Sequence, residues 1–154
     1  MKIEILQQNI DKIIIAENSV NDKLQEICNK LKNSIPYYNW VGFYFNHEDK
    51  KELKLAQYAG EETEHTTIPF GKGICGQVAI SNENFVVQDV SEQNNYISCG
   101  WKVKSEIVIP IFIDDKNIGQ IDIDSHIANV FTKEDEQLLE YVCKKVATIL
   151  RKVG

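Results

Sequence analysis

Apolar residues recur at helical spacing from the start of the chain, at Ile3, Leu6, Ile10, Ile13 and Ile14, and predict a first amphipathic helix. After Ala16-Glu17-Asn18, Ser19 and Asp22 form a pair resembling a capping box. A second stripe follows at Val20, Leu24, Ile27, Cys28 and Leu31, and Pro36 ends it. The pattern then changes. Tyr38 to Asn46 is aromatic-rich and β-prone, His47 to Lys51 reads as a turn, and Glu52 to Ala59 reads as a returning strand. A polar loop runs from Gly60 to Thr67. Gly73 to Ser81 predicts a short helix opened by glycines, and Phe85 to Gln88 a short strand. Asp89 to Gly100 is polar and reads as a loop, with or without a helical turn. Glu106 to Ile113 and Ile118 to Ser125 predict a hairpin across Asp114-Asp115-Lys116-Asn117. The last segment is the clearest helix. Thr132 and Asp135 cap it, and Leu138, Val142, Val146, Ile149 and Val153 mark one face, broadened by Leu139, Cys143 and Leu150.

Helices, then strands with short inserts, then a helix predict an α+β fold. Its centre is an antiparallel sheet of about five or six strands, with the N- and C-terminal helices on one face. The other face is left to hold a ligand under the long loops. The chain has 154 residues, a length that suits one compact domain. Within it, residues 1–35 are expected to form helices packed on the main body, which spans 36–154. No internal repeat, low-complexity tract or linker interrupts the pattern.

Composition narrows the function classes. Hydrophobic residues make up 43% of the chain, enough for a packed interior, and the net charge is −6 without any basic stretch. Nucleic acid is therefore not an expected partner. No apolar run is long enough to cross a membrane, and the N-terminus lacks a run of signal-peptide length. Four cysteines are too few for a disulfide scaffold, so the expectation is a cytoplasmic chain with reduced thiols.

Two of those cysteines, Cys28 and Cys143, lie on apolar helix faces; Cys75 and Cys99 do not. Cys75 sits in the Gly-rich turn Gly71-Lys72-Gly73-Ile74-Cys75-Gly76. In the first turn of a helix the dipole is expected to lower its pKa; the plain alternative is a small buried residue. The turn lacks the Gly-Lys-Ser/Thr ending of a phosphate loop. Cys99 lies in a loop, where reactive groups are often displayed. Side chains alternate along a strand. Asp122 and Asp124 therefore oppose Ile121 and Ile123, and Glu106 opposes Ile107. If the isoleucine rows face the helices, the three acids converge on the ligand side; the plain alternative is solvated strand ends. Convergent carboxylates repel, so one pKa should rise and leave a carboxyl able to donate a proton, while the rest hold an ammonium group. Trp40, Gly42 and Tyr44 share one strand face, and the glycine leaves a gap between two aromatic rings where a ligand can sit; core packing is the alternative. Zinc spacing is absent, with no Cys-x-x-Cys pair and scattered histidines at 47, 65 and 126, so no bound metal is expected.

Together the motifs Asn39-Trp-Val-Gly-Phe-Tyr44, Ile68-Pro-Phe-Gly-Lys-Gly-Ile-Cys-Gly76, Tyr96-Ile-Ser-Cys99, Ser105-Glu-Ile-Val-Ile-Pro110, Gly119-Gln-Ile-Asp-Ile-Asp-Ser125 and Phe131-Thr-Lys-Glu-Asp-Glu136 resemble the GAF domain family, and within it the free methionine-(R)-sulfoxide reductases. The match runs roughly from Pro36 to Leu150. The resemblance implies that Cys99 is the catalytic cysteine, that Cys75 is an auxiliary thiol of the pocket, and that Glu106, Asp122 and Asp124 bind substrate. Trp40 and Tyr44 would then wall its methyl-sulfur end, and Glu106 or Asp124 would supply the proton. Free methionine sulfoxide is the implied substrate and thioredoxin or a small thiol the implied reductant, with no bound cofactor. In one respect the chain departs from the family pattern. A third cysteine, three residues before the Ile-Pro pair, is replaced by His65. Three readings follow: Cys75 resolves Cys99, an external thiol reduces Cys99 directly, or the domain is a non-catalytic relative that binds or senses a ligand. A homodimer through the terminal helices is compatible with each.

Overall fold

The computed structural model of the chain describes residues 2–93 and 102–153. Helices α1 (Ile3–Ile15) and α2 (Val20–Ser34) lead into strands β1 (Trp40–His47), β2 (Glu52–Ala59) and β3 (Thr67–Pro69). Helix α3 (Gly73–Ser81), strands β4 (Phe85–Val87), β5 (Ser105–Ile113) and β6 (Lys116–Ser125), and helix α4 (Lys133–Val153) follow, with short 3-10 turns at Glu48–Lys50 and Val90–Glu92. The six strands form one sheet in the order β3-β2-β1-β6-β5-β4, and every neighbouring pair is antiparallel. The fold is thus the α+β arrangement expected from the sequence.

Local chemistry explains the element ends. Ser19 caps α2 by accepting a hydrogen bond from the Asp22 amide at 3.1 Å. Asp135 accepts from the Thr132 amide at 2.8 Å and so fixes the start of α4. The β5–β6 hairpin is tighter than the sequence suggests: Ile113 pairs with Lys116, leaving only Asp114 and Asp115 in the loop. Both have positive φ, 50° and 64°, the conformation that matches a two-residue turn to strand twist. One further difference is β3, three residues within and beyond a stretch read as loop. It forms because Leu53 and Ile68 pair across the edge of β2 and bury together.

The sheet separates two apolar clusters. Val41, Phe43, Ile107, Ile109, Ile111, Ile121 and Ile123 pack with α1, α2 and α4 in the main core. The opposite face carries Trp40, Tyr44 and Val108 together with Ile74, Cys75 and Val78 of α3. Strand alternation therefore commits the isoleucine rows to the helices and leaves the alternate residues of β1, β6 and β5 beneath α3. No helix among the described residues is long and apolar enough to cross a membrane.

Candidate functional site

The residues beneath α3 are set by strand register. On β1 and β6, Trp40 lies opposite Asp124, Gly42 opposite Asp122 and Tyr44 opposite Gln120. On β5, Glu106 lies opposite Asp124 and Val108 opposite Asp122. Opposed residues share a face, so the three acids and both aromatics occupy one patch of sheet. All three acids are buried: Glu106 is 6% exposed, Asp122 2% and Asp124 3%.

Helix α3 brings a thiol to that patch. The Cys75 Sγ lies 3.7 Å from Glu106 Oε2, and Cys75, Glu106 and Asp122 place ligand-type atoms within 4.8 Å of one another. They line a cavity of about 20 Å³ with Tyr44, His65, Ile68, Lys72, Gly73 and Ile74, room for about one water-sized group. Trp40 and Asp124 are not among its described lining residues. Cys99 lies outside the described residues.

Burial pushes the Cys75 thiol well above its usual range, and the charges of Asp122, Glu106 and Asp124 push it further. The expected lowering by the helix dipole is overturned. Cys75 does stand in the first turn of α3, but desolvation and three nearby carboxyl groups outweigh a half-charge at a helix end. Cys75 therefore holds its proton at neutral pH. Burial also raises the pKa of Asp122, and hydrogen bonding with Glu106 and Cys75 opposes that shift only in part. Its Oδ1 has no hydrogen-bond partner among the described residues. Asp122 is thus harder to ionise than a free carboxylate.

The gap expected at Gly42 is filled. A Cβ at Gly42 would lie 2.3 Å from the Trp40 ring, so the glycine is there to let the indole lie back across the strand. The indole stacks on Tyr58 with centroids 5.6 Å apart, and its Nε1 donates to the Glu61 carbonyl at 3.0 Å. The Tyr44 hydroxyl donates to the His65 carbonyl at 2.8 Å, which ties the loop before β3 to the sheet and sets His65 at the cavity.

Sequence reasoning missed Gln120. Its Nε2 donates to the Cys75 carbonyl at 3.1 Å, fully buried, and so anchors the first turn of α3 over β6. Alternation with Asp122 and Asp124 was the available signal. Asn117 works at the other end of α3, donating to the Val78 carbonyl at 3.3 Å. Cys28 and Cys143 are buried and free. They have no part in this site: their thiols donate to the carbonyls of Gln57 at 3.6 Å and Ile109 at 3.7 Å.

A family model described as a GAF domain matches residues 17–151. Protein YtsP of Bacillus subtilis is 36% identical over 129 residues, 80% of this chain and 78% of that protein. The free methionine-R-sulfoxide reductase of Escherichia coli is 30% identical over 145 residues, 94% of this chain and 86% of that enzyme. Among solved structures, the free methionine-R-sulfoxide reductase of Neisseria meningitidis, in complex with its substrate, superposes with a TM-score of 0.92 at 30% identity. That superposition covers 99% of this chain and 92% of the other.

Proposed function

Because the chain belongs to the GAF domain family, as an oxidoreductase akin to the free methionine-R-sulfoxide reductases, we propose that it reduces free methionine (R)-sulfoxide to methionine with thiol reducing equivalents. One observation carries the proposal: a buried thiol and two buried carboxyl groups meet at one cavity on the ligand side of the sheet. Ordinary packing does not gather such groups, since each ionised carboxylate in a low-dielectric site is costly. Perturbed groups around a cavity are a common property of catalytic sites.

The chemistry assigns a role to each. The sulfur of Cys99, from its position in the family motif, attacks the sulfoxide sulfur. The carboxyl cluster delivers a proton to the departing oxygen. Glu106 and Asp122, hydrogen-bonded to each other, hold that proton between them. Asp124, whose charge reaches the cluster, keeps the field negative and favours the ammonium group of an amino acid. The bond between the two sulfurs then breaks as the protonated oxygen passes from substrate sulfur to cysteine sulfur: the sulfoxide gains two electrons and becomes methionine, and Cys99 loses two and becomes a sulfenic acid. A first thiol condenses with the sulfenic acid, releasing water and leaving a mixed disulfide. A second thiol then restores Cys99 and leaves as a disulfide. The first thiol is thioredoxin, a small thiol or Cys75. The high pKa of Cys75 favours an external thiol, because only a thiolate attacks rapidly.

Room for about one water-sized group seats the sulfoxide oxygen rather than the whole amino acid. Binding therefore requires the lining around Lys72 and His65 to yield. The test is steady-state turnover of the pure protein with each methionine sulfoxide epimer and dithiothreitol. Methionine formed from the R epimer and not from the S epimer is the expected result. No methionine from either epimer would overturn the reading.

A further inference from the structure

Cys75, Glu106 and Asp122 come from three separate elements, α3, β5 and β6, and are 4%, 6% and 2% exposed. One thiol and two carboxyl groups are a mixed soft and hard donor set. It suits zinc and its neighbours among the divalent transition ions, not magnesium or calcium. Geometry agrees. In a tetrahedral site with usual zinc–sulfur and zinc–oxygen lengths, sulfur and oxygen ligands stand about 3.6 Å apart. The Cys75 Sγ to Glu106 Oε2 distance is 3.7 Å, and all three ligand atoms lie within 4.8 Å of one another. Two independent features point to an ion here. Asp122 Oδ1 is buried and has no hydrogen-bond partner among the described residues, an expensive state that a cation would relieve. The cavity, about 20 Å³, is small for an amino acid but suits one ion.

We propose that Cys75, Glu106 and Asp122 bind a single zinc-class divalent cation, which occupies the cavity and excludes the sulfoxide. Binding is independent of the reductase reading; the inhibition that follows from it rests on that reading. The cation displaces the Cys75 proton and the proton held by the carboxyl pair, both of which pass to solvent. Affinity accordingly rises with pH. Among the described residues, the other charged or titratable groups facing the cluster are Asp124 on β6, Tyr44 on β1, and Lys72 and His65 at the cavity wall.

The experiment adds cobalt(II), as a spectroscopic substitute for zinc, to the reduced, metal-free full chain. It is followed by the near-ultraviolet thiolate-to-metal charge-transfer band and by proton release. The band is expected in the wild type and in Cys99→Ser, and absent from Cys75→Ser. Asp122→Asn and Glu106→Gln should each weaken cobalt roughly tenfold or more, as loss of one of three ligands would. A band that survives Cys75→Ser, or one that Cys99→Ser abolishes, overturns the site. If Cys75→Ser fails to fold by circular dichroism, the carboxyl variants decide: unchanged cobalt affinity in both overturns it. Zinc should also stop turnover of the R epimer, with recovery on adding a chelator. Turnover untouched by zinc at saturation of the band would overturn the inhibition. A wild type with no turnover at all would instead count against the reductase reading, and the absorbance assay would still report on the site.

Discussion

Asp122 sits where an ionised side chain is costly. Its partner across β1 is a glycine, it is 2% exposed, and burial raises its pKa above the ordinary 3.8 of an aspartate. Between 3.8 and that raised value, the folded protein binds a proton that the unfolded chain releases. This group's contribution to stability is therefore full below 3.8 and is lost as pH rises through the folded pKa. Asp122→Asn removes the titration. It should raise Tm at neutral pH, by an amount that shrinks towards zero as pH falls to the unfolded value. The check is a Tm series across pH for both proteins, with no difference at neutral pH as the contrary result. At Gly42 the argument is steric. Gly42→Ala forces the Trp40 ring out from over the strand. It should cost about 1–3 kcal/mol, read by chemical denaturation together with a change in tryptophan fluorescence. The two residues differ in legibility. The facing of Asp122 followed from period-two alternation. The indole covering Gly42 did not, because a rotamer is set by neighbours such as Tyr58 that lie far off in sequence.

Between elements, the tie that holds the entry of β1 to the start of α4 is Asp135. It is fully buried, accepts from the Tyr38 hydroxyl at 2.7 Å and the Tyr37 hydroxyl at 3.0 Å, and caps α4 through Thr132. Burial, together with the carboxylate beside them, keeps both phenols protonated. Asp135→Ala leaves the buried Tyr38 hydroxyl without its acceptor and should cost about 1–3 kcal/mol, measured as a drop in denaturation midpoint. A loss no larger than that of an exposed surface substitution would contradict the assignment. The cap was readable from Thr132 and Asp135, three residues apart. Its tyrosine partners were not, since they lie 97 and 98 residues away. Helix α3 was predicted at its observed bounds from the glycines that open it; in the structure a left-handed Asn82, φ 62°, closes it. The edge strand β3 was missed: three residues carry no periodicity, and only burial of Ile68 against Leu53 reveals it.

For the whole molecule, one sheet serves two purposes. Its isoleucine face builds the core with α1, α2 and α4, while its other face presents acids, aromatics and the α3 thiol. That division could be anticipated from alternation along two strands. The order of strands and the descent of α3 onto Glu106 and Asp122 could not, because both depend on non-local pairing. For the same reason, zinc spacing rules found nothing in the linear sequence where the fold assembles three donors. The central claim is that this face carries sulfoxide reduction by a cysteine thiol. The most direct test is a single turnover of the fully reduced wild type with methionine (R)-sulfoxide and no added reductant, followed by peptide mapping of cysteine oxidation. The account predicts one methionine per chain and two-electron oxidation that includes Cys99, as sulfenic acid or in a disulfide. Methionine formed while Cys99 stays a thiol, or no methionine at all, would contradict it.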